Sequence, residues 1–124
     1  MTKKKILIIE DNEQNLYLTT FLLEKEDYEV VQARDGQQGL ELAVSENPDL
    51  ILLDIQLPVM DGYEVARRLK QAEETKAIPV VAVTSYAMAG DRETILAAGC
   101  EGYIEKPIDP DSFVERVRRF LSQI

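Results

Sequence analysis

Histidine is absent from all 124 residues of the chain. That removes a histidine general base, a histidine metal ligand and a phosphohistidine together. Whatever chemistry the protein performs must run on carboxylates, hydroxyls and lysine. Cysteine is almost as scarce. The single Cys100 excludes an internal disulfide. It follows Gly99 at the expected end of a helix and reads as a small buried hydrophobe. No sequence neighbour would depress its pKa enough for a redox role. Basic residues are also few, 14 Lys and Arg against 23 Asp and Glu, for a net charge of −9. Such a balance argues against nucleic acid, whose affinity comes from clustered cations. The basic run Lys3-Lys4-Lys5 reads as a solvated strand entrance; as a signal-peptide n-region it would need a longer apolar run behind it. No stretch approaches membrane-spanning length, and the protein is expected to be cytoplasmic.

What is present is an ordinary globular composition, 45% hydrophobic and 30% charged, in a length that suits one domain burying roughly two-thirds of its unfolded surface. Three apolar runs stop at polar groups. Ile6-Leu7-Ile8-Ile9 ends at Glu10-Asp11, Leu50-Ile51-Leu52-Leu53 at Asp54, and Val80-Val81-Ala82-Val83 at Thr84. Continuous runs of this kind read as strands buried on both faces of a parallel sheet. The C-terminal ends of such strands open into one crevice, where ligands bind. Three carboxylates and a hydroxyl therefore converge at one mouth.

Strands and helices alternate along the chain. Residues 4–9 read as the first strand and 13–26 as a helix with Leu16, Thr20 and Leu23 on its inner face. Residues 28–33 read as a partly alternating edge strand. Asp35 is an expected N-cap, with Gln38 at N3, for a helix burying Leu40, Ala43 and Val44 and stopped by Asn47-Pro48. Residues 50–53 form the third strand. Asp61 and Glu64 open the third helix, which runs to about Ala72. A fourth strand is expected from Ile78-Pro79. The fourth helix ends near Ala98, with Gly99 as its left-handed C′ residue. Residues 102–105 read as a fifth strand. Asp109-Pro110 is expected to cap a last helix with Phe113, Val117, Phe120 and Leu121 on one face. Five βα units with short connections imply a three-layer, doubly wound α/β sandwich rather than a barrel. Residues 1–124 are expected to be a single domain with no output domain attached.

At the mouth, Glu10, Asp11 and Asp54 would repel one another unless something neutralised them, and a bound cation does so. For one acid the ordinary reading is a solvated strand end; three at adjacent mouths point to a metal. An all-oxygen site with few carboxylates suits Mg²⁺, which often shares its shell with a phosphate. Thr84 and Lys106 fit the remaining oxygens of an arriving phosphoryl group. Asp54, ending the strand expected at the sheet's centre, is the best-placed nucleophile, and its attack on phosphorus would give an acyl phosphate.

These residues resemble the receiver domain of two-component response regulators. The likeness is carried by Glu10-Asp11-Asn12, by Asp54 within the segment from Leu53 to Gly62, by Thr84-Ser85 and by Lys106-Pro107, and it spans the whole chain. It implies a flavodoxin-like (βα)5 fold with strand order 2-1-3-4-5. Asp54 would be the phospho-acceptor, supplied by a partner histidine kinase or histidine phosphotransfer protein, in agreement with the missing histidine. Asp11, Asp54 and the Gln56 backbone carbonyl would bind Mg²⁺ (or Mn²⁺), with Glu10 acting through water, and Lys106 would contact the phosphoryl group. Thr84 and Tyr103 resemble the switch pair that reshapes the face of helix four, strand five and helix five for a downstream protein partner. Gln56 and Tyr86, each two residues past an active-site group, would tune the phosphate's lifetime, the bulky Tyr86 by shielding it from water. The Lys106-Pro107 bond is similar to one that is cis in this family. The segment 84–90 and the stretch from Gly99 to Ile104 also look like the stand-alone receivers of cell-cycle and developmental pathways.

Two other readings compete. A phosphatase of the haloacid-dehalogenase type also pairs a nucleophilic Asp with Mg²⁺, Thr and Lys, but wants a second Asp where this chain has Gln56, and a cap domain. A flavodoxin-like electron carrier needs a hydroxyl- or glycine-rich cradle for FMN phosphate, where Glu10-Asp11 would repel it.

Overall fold

Each apolar run that closes on a polar residue is a strand of one parallel sheet. The computed structural model describes residues 3–85 and 89–123. They form β1 (Lys5–Ile9), α1 (Glu13–Lys25), β2 (Glu29–Ala33), α2 (Gly36–Glu46), β3 (Leu50–Asp54), α3 (Gly62–Gln71), β4 (Val80–Thr84), α4 (Ala89–Ala97), β5 (Gly102–Glu105) and α5 (Phe113–Ser122). The strand order is β2-β1-β3-β4-β5, every neighbouring pair parallel, which is the flavodoxin-like order the family resemblance implied. β3 lies at the centre, and every residue of β3 and β4 is buried. β2 is a half-buried edge.

Helices cover both faces. Leu16 and Leu23 of α1 and Phe113 and Val117 of α5 pack on Ile6, Ile8, Leu50, Leu52, Val81 and Val83. On the other face Ala43, Val65, Leu69 and Ile95, from α2, α3 and α4, pack on Leu7, Ile9, Ile51, Leu53 and Ala82. Side chains thus alternate between two cores along each strand. Short turns return each helix to the sheet, so every strand points its C-terminal tip the same way.

Four local details differ from the expectations. The inner face of α1 carries Thr19 rather than Thr20. Thr19 satisfies its hydroxyl by donating to the Asn15 carbonyl at 2.8 Å, whereas Thr20 sits at the rim and accepts from the Gln32 amide at 3.0 Å. Val44 is 51% exposed; the small Gly36, Gly39 and Ala43 make the buried stripe of α2 instead. A side chain at Gly39 would start 2.4 Å from Ile9 Cδ1, so the helix sits close to the sheet and turns Val44 outward. β4 begins at Val80, because Ile78 belongs to the preceding turn through its N–H to the Thr75 carbonyl. α5 begins at Phe113 rather than beside Pro110. Asp109 does cap, but it caps a separate turn, taking the Asp111 N–H and the Ser112 hydroxyl.

Asp35 and Asp61 are the N-caps expected, accepting from the main-chain N–H of Gln38 and Glu64 at 2.8 and 3.0 Å. Gln38 reaches back to the Arg34 N–H at 2.7 Å, one residue beyond the cap itself. Gly99 has φ of 101°, the left-handed value expected after α4. Cys100 is buried, and burial pushes its thiol up to about 12, which suits a packing role.

Candidate functional site

The tips of β1, β3, β4 and β5 supply the polar groups of one crevice. Asp54 is the last residue of β3 and only 2% exposed. Its Oδ1 accepts the main-chain N–H of Gln56 at 2.9 Å and lies 3.2 Å from Lys106 Nζ. The backbone around it is tightly determined. Gly62 donates to the Ile55 carbonyl at 3.0 Å, and a Cβ at Gly62 would fall 2.5 Å from Ile55 Cα and 2.7 Å from the Asp54 carbonyl. Only glycine lets α3 start this close to the acid.

Glu10 is 4% exposed. One of its oxygens lies 3.2 Å from Lys106 Nζ, and the other accepts from the Asn12 N–H at 3.2 Å. Asp11 stands exposed beside them, and ligand oxygens of Glu10, Asp11 and Asp54 lie within 4.8 Å of one another. Three carboxylates thus face one ammonium. Burial, with the hydrogen bond to Asp54 and its charge, pushes Glu10 up to about 7; Lys106 and the Asn12 N–H oppose that rise. Lys106 alone does not neutralise the cluster. The donor set is all oxygen and carries a charge excess that a divalent cation would remove, so these residues fit Mg²⁺.

Lys106 is positioned by its own backbone, which donates to the Thr84 carbonyl at 2.8 Å. The Lys106-Pro107 bond is cis. Thr84 is buried at the tip of β4, and its Oγ1 accepts from the Gln56 side-chain amide at 3.0 Å. Gln56 therefore touches the acid through its main chain and the hydroxyl through its side chain. Tyr103 pairs with Ala82 across β4 and β5. Ala82 and Thr84 are two residues apart on one strand, so Thr84 and Tyr103 share a sheet face as diagonal neighbours. The phenol oxygen of Tyr103 accepts from Arg92 of α4 at 2.8 Å.

The residues singled out in the sequence, Glu10, Asp11, Asp54, Gln56, Thr84 and Lys106, gather at this mouth, with Tyr103 one step down the sheet. Tyr86 lies outside the described residues. The side-chain reach of Gln56 to Thr84 and the contact of Arg92 with Tyr103 were not anticipated. Both depend on side-chain direction across neighbouring elements, which spacing does not reveal.

Residues 6–118 match the response regulator receiver domain. The chain belongs to that family. The receiver is 48% identical over 118 residues to the polar-differentiation response regulator DivK of Brucella ovis, covering 95% of this chain and 96% of that protein. Among solved structures it is similar to a CheY-like receiver domain protein from Methanospirillum hungatei, with 33% identity, a TM-score of 0.89, and 98% and 96% of the two chains covered. It is also similar to the receiver domain of the sensor histidine kinase PA1611 of Pseudomonas aeruginosa, at 33% identity and a TM-score of 0.88, covering 98% and 99%. That structure has a magnesium ion coordinated in its active-site cleft. The receiver is a two-component signalling switch, and nothing in these likenesses supports a dehalogenase-type phosphatase.

Proposed function

We propose that Asp54 is the phospho-acceptor of this receiver and that phosphorylation there switches its α4–β5–α5 face. The observation that carries the proposal is the buried Asp54 carboxylate held between Lys106 and a second and third acid. An Asp54 oxygen attacks the phosphorus of a phosphohistidine; the P–N bond breaks as the P–O bond forms, leaving an acyl phosphate. The donor is a histidine kinase or histidine phosphotransfer protein, since this chain has no histidine of its own.

Asp11, Asp54 and the Gln56 backbone carbonyl would hold Mg²⁺ (or Mn²⁺), and Glu10 would reach it through water. Bound there, the ion supplies neutralisation of the phosphoryl oxygens and of the three acids. Lys106 is close enough to Asp54 to follow a phosphoryl group attached to it. Thr84 supplies a hydroxyl to the same group, and Tyr103 on the shared face follows. The protein is a switch rather than a metabolic enzyme, although the same groups catalyse its own phosphorylation and slow hydrolysis. Gln56 and Tyr86 set how long the acyl phosphate lasts. The downstream partner is a protein rather than nucleic acid or membrane. No described helix is long and apolar enough to span a bilayer, and we place the protein in the cytoplasm.

Incubation with acetyl phosphate tests the chemistry. Intact mass is expected to rise by one phosphate with Mg²⁺ present, and not without it or in Asp54→Asn. Equal labelling of the mutant would overturn the assignment. For lifetime, Tyr86→Ala is expected to speed dephosphorylation, and an unchanged rate would remove the shielding role.

A further inference from the structure

Arg92 meets Tyr103 in two ways at once. It donates to the phenol oxygen at 2.8 Å, and its guanidinium carbon lies 5.5 Å from the ring centroid. The hydrogen bond fixes the tip of the ring and the cation–π contact fixes its plane, so together they define one setting of the side chain. In the same structure Asp54 is paired with Lys106. Arg92 is exposed on α4 and belongs to no part of the acidic crevice.

We propose that Arg92 is a positioning residue for the switch: it clamps the Tyr103 ring to α4 in the unphosphorylated protein, and phosphorylation of Asp54 has to release it. The inference rests on reading Thr84 and Tyr103 as the switch pair. Its physical content is a contact made in only one of two states. Such a contact stabilises that state alone, and a ring moving inward beside Thr84 leaves the guanidinium behind. Ala82, which faces Tyr103 across the strand pair, presents only a methyl group on that side of the sheet. The body of the ring packs against the core on that face, and its phenol tip is held by Arg92. The Arg116 guanidinium donates to the Tyr103 carbonyl at 3.0 Å, holding the strand while leaving the ring to turn.

Because coupling is reciprocal, loosening the ring must also favour phosphorylation at Asp54, which Arg92 does not touch. An exposed hydrogen bond plus cation–π contact corresponds to roughly a five-fold shift in the resting-to-active ratio. The full chain carrying fluorotyrosine is the test, with the Tyr103 signal assigned by Tyr103→Phe. In Arg92→Ala that ¹⁹F resonance is expected to move toward its phosphorylated position before any phosphate is added, and beryllofluoride with Mg²⁺, a stable stand-in for the phosphoryl group, to bind about five-fold more tightly. In a Tyr103→Ala background, Arg92→Ala is expected to change nothing further. An unmoved resonance and an unchanged beryllofluoride affinity in Arg92→Ala would overturn the clamp, as would an effect that persists without Tyr103. If the wild-type Tyr103 resonance ignores phosphorylation, the switch-pair reading itself fails, and the clamp with it.

Discussion

Among the described residues Lys106 is the cation at this crevice, and two buried carboxylates lean on it at 3.2 Å each. Replacing it with methionine keeps the bulk and removes the charge, leaving Glu10 and Asp54 to face one another. Breaking a buried ion pair by deleting one partner costs about 3–5 kcal/mol. Glu10 can relieve part of that by staying protonated, so Lys106→Met is expected to be strongly destabilising at pH 8 and much less so at pH 5. Urea denaturation at the two pH values checks it; equal losses would mean that Lys106 acts through packing alone. Cys100 makes the opposite kind of prediction. Its thiol, pushed up to about 12 by burial, is expected to resist thiol reagents at pH 8 except at the rate of unfolding. Labelling faster than that would show a local opening at the end of α4. Glu10, Asp54 and Thr84 were legible in the sequence because each follows directly on an apolar run, and Asp11 and Lys106 because each lies just past the end of a strand. The side chain of Gln56 was not, since its reach to Thr84 depends on how β3 and β4 stand side by side.

Between β3 and α3 the chain turns back almost onto the acid. Gly62→Ala would place a methyl group 2.5 Å from backbone, where no side chain can yield. The expected outcome is a loss of stability of about 1–3 kcal/mol, as for an overpacked core, together with slower phosphorylation because the Asp54 carbonyl must shift. Asp61→Ala, which removes only the cap on α3, is expected to cost about 1 kcal/mol and leave phosphorylation nearly unchanged. Thermal melts with phosphorylation rates on both variants separate the two effects. The elements themselves were readable from periodicity and capping, and α3 shows why: its buried Val65, Ala66 and Leu69 and its Asp61 cap agree on one register. Agreement fails where local chemistry offers two solutions. At α5, Asp109 closes its own turn and delays the helix by several residues. In α2 the close approach at Gly39 rotates the helix, so a valine that fits the hydrophobic pattern faces water.

At the level of the whole molecule, the acid cluster links folding to pH and to cations. Glu10 stands at about 7 when folded, above an ordinary 4.5. Between those values the folded protein keeps a proton that the unfolded chain has released. Without divalent cation, stability is therefore expected to fall as pH rises from about 4.5 to about 7 and then to level off, by at most ~1 kcal/mol per pH unit. Added Mg²⁺ is expected to raise the melting temperature more at pH 8 than at pH 5.5, because a proton must leave for the cation to bind. A magnesium effect independent of pH would separate Glu10 from the metal group. The geometry has one more outcome. Glu10, Asp11, Asp54, Gln56, Thr84 and Lys106 all lie at the C-terminal ends of the strands, while turns such as Glu26-Asp27 and Glu73-Glu74 lie exposed at the other rim. That rim is free to drift: insertions, fusions or a relocated pair of chain ends can accumulate there without passing near Asp54. The same chemistry can therefore be carried into many differently assembled proteins while its working edge stays as it is.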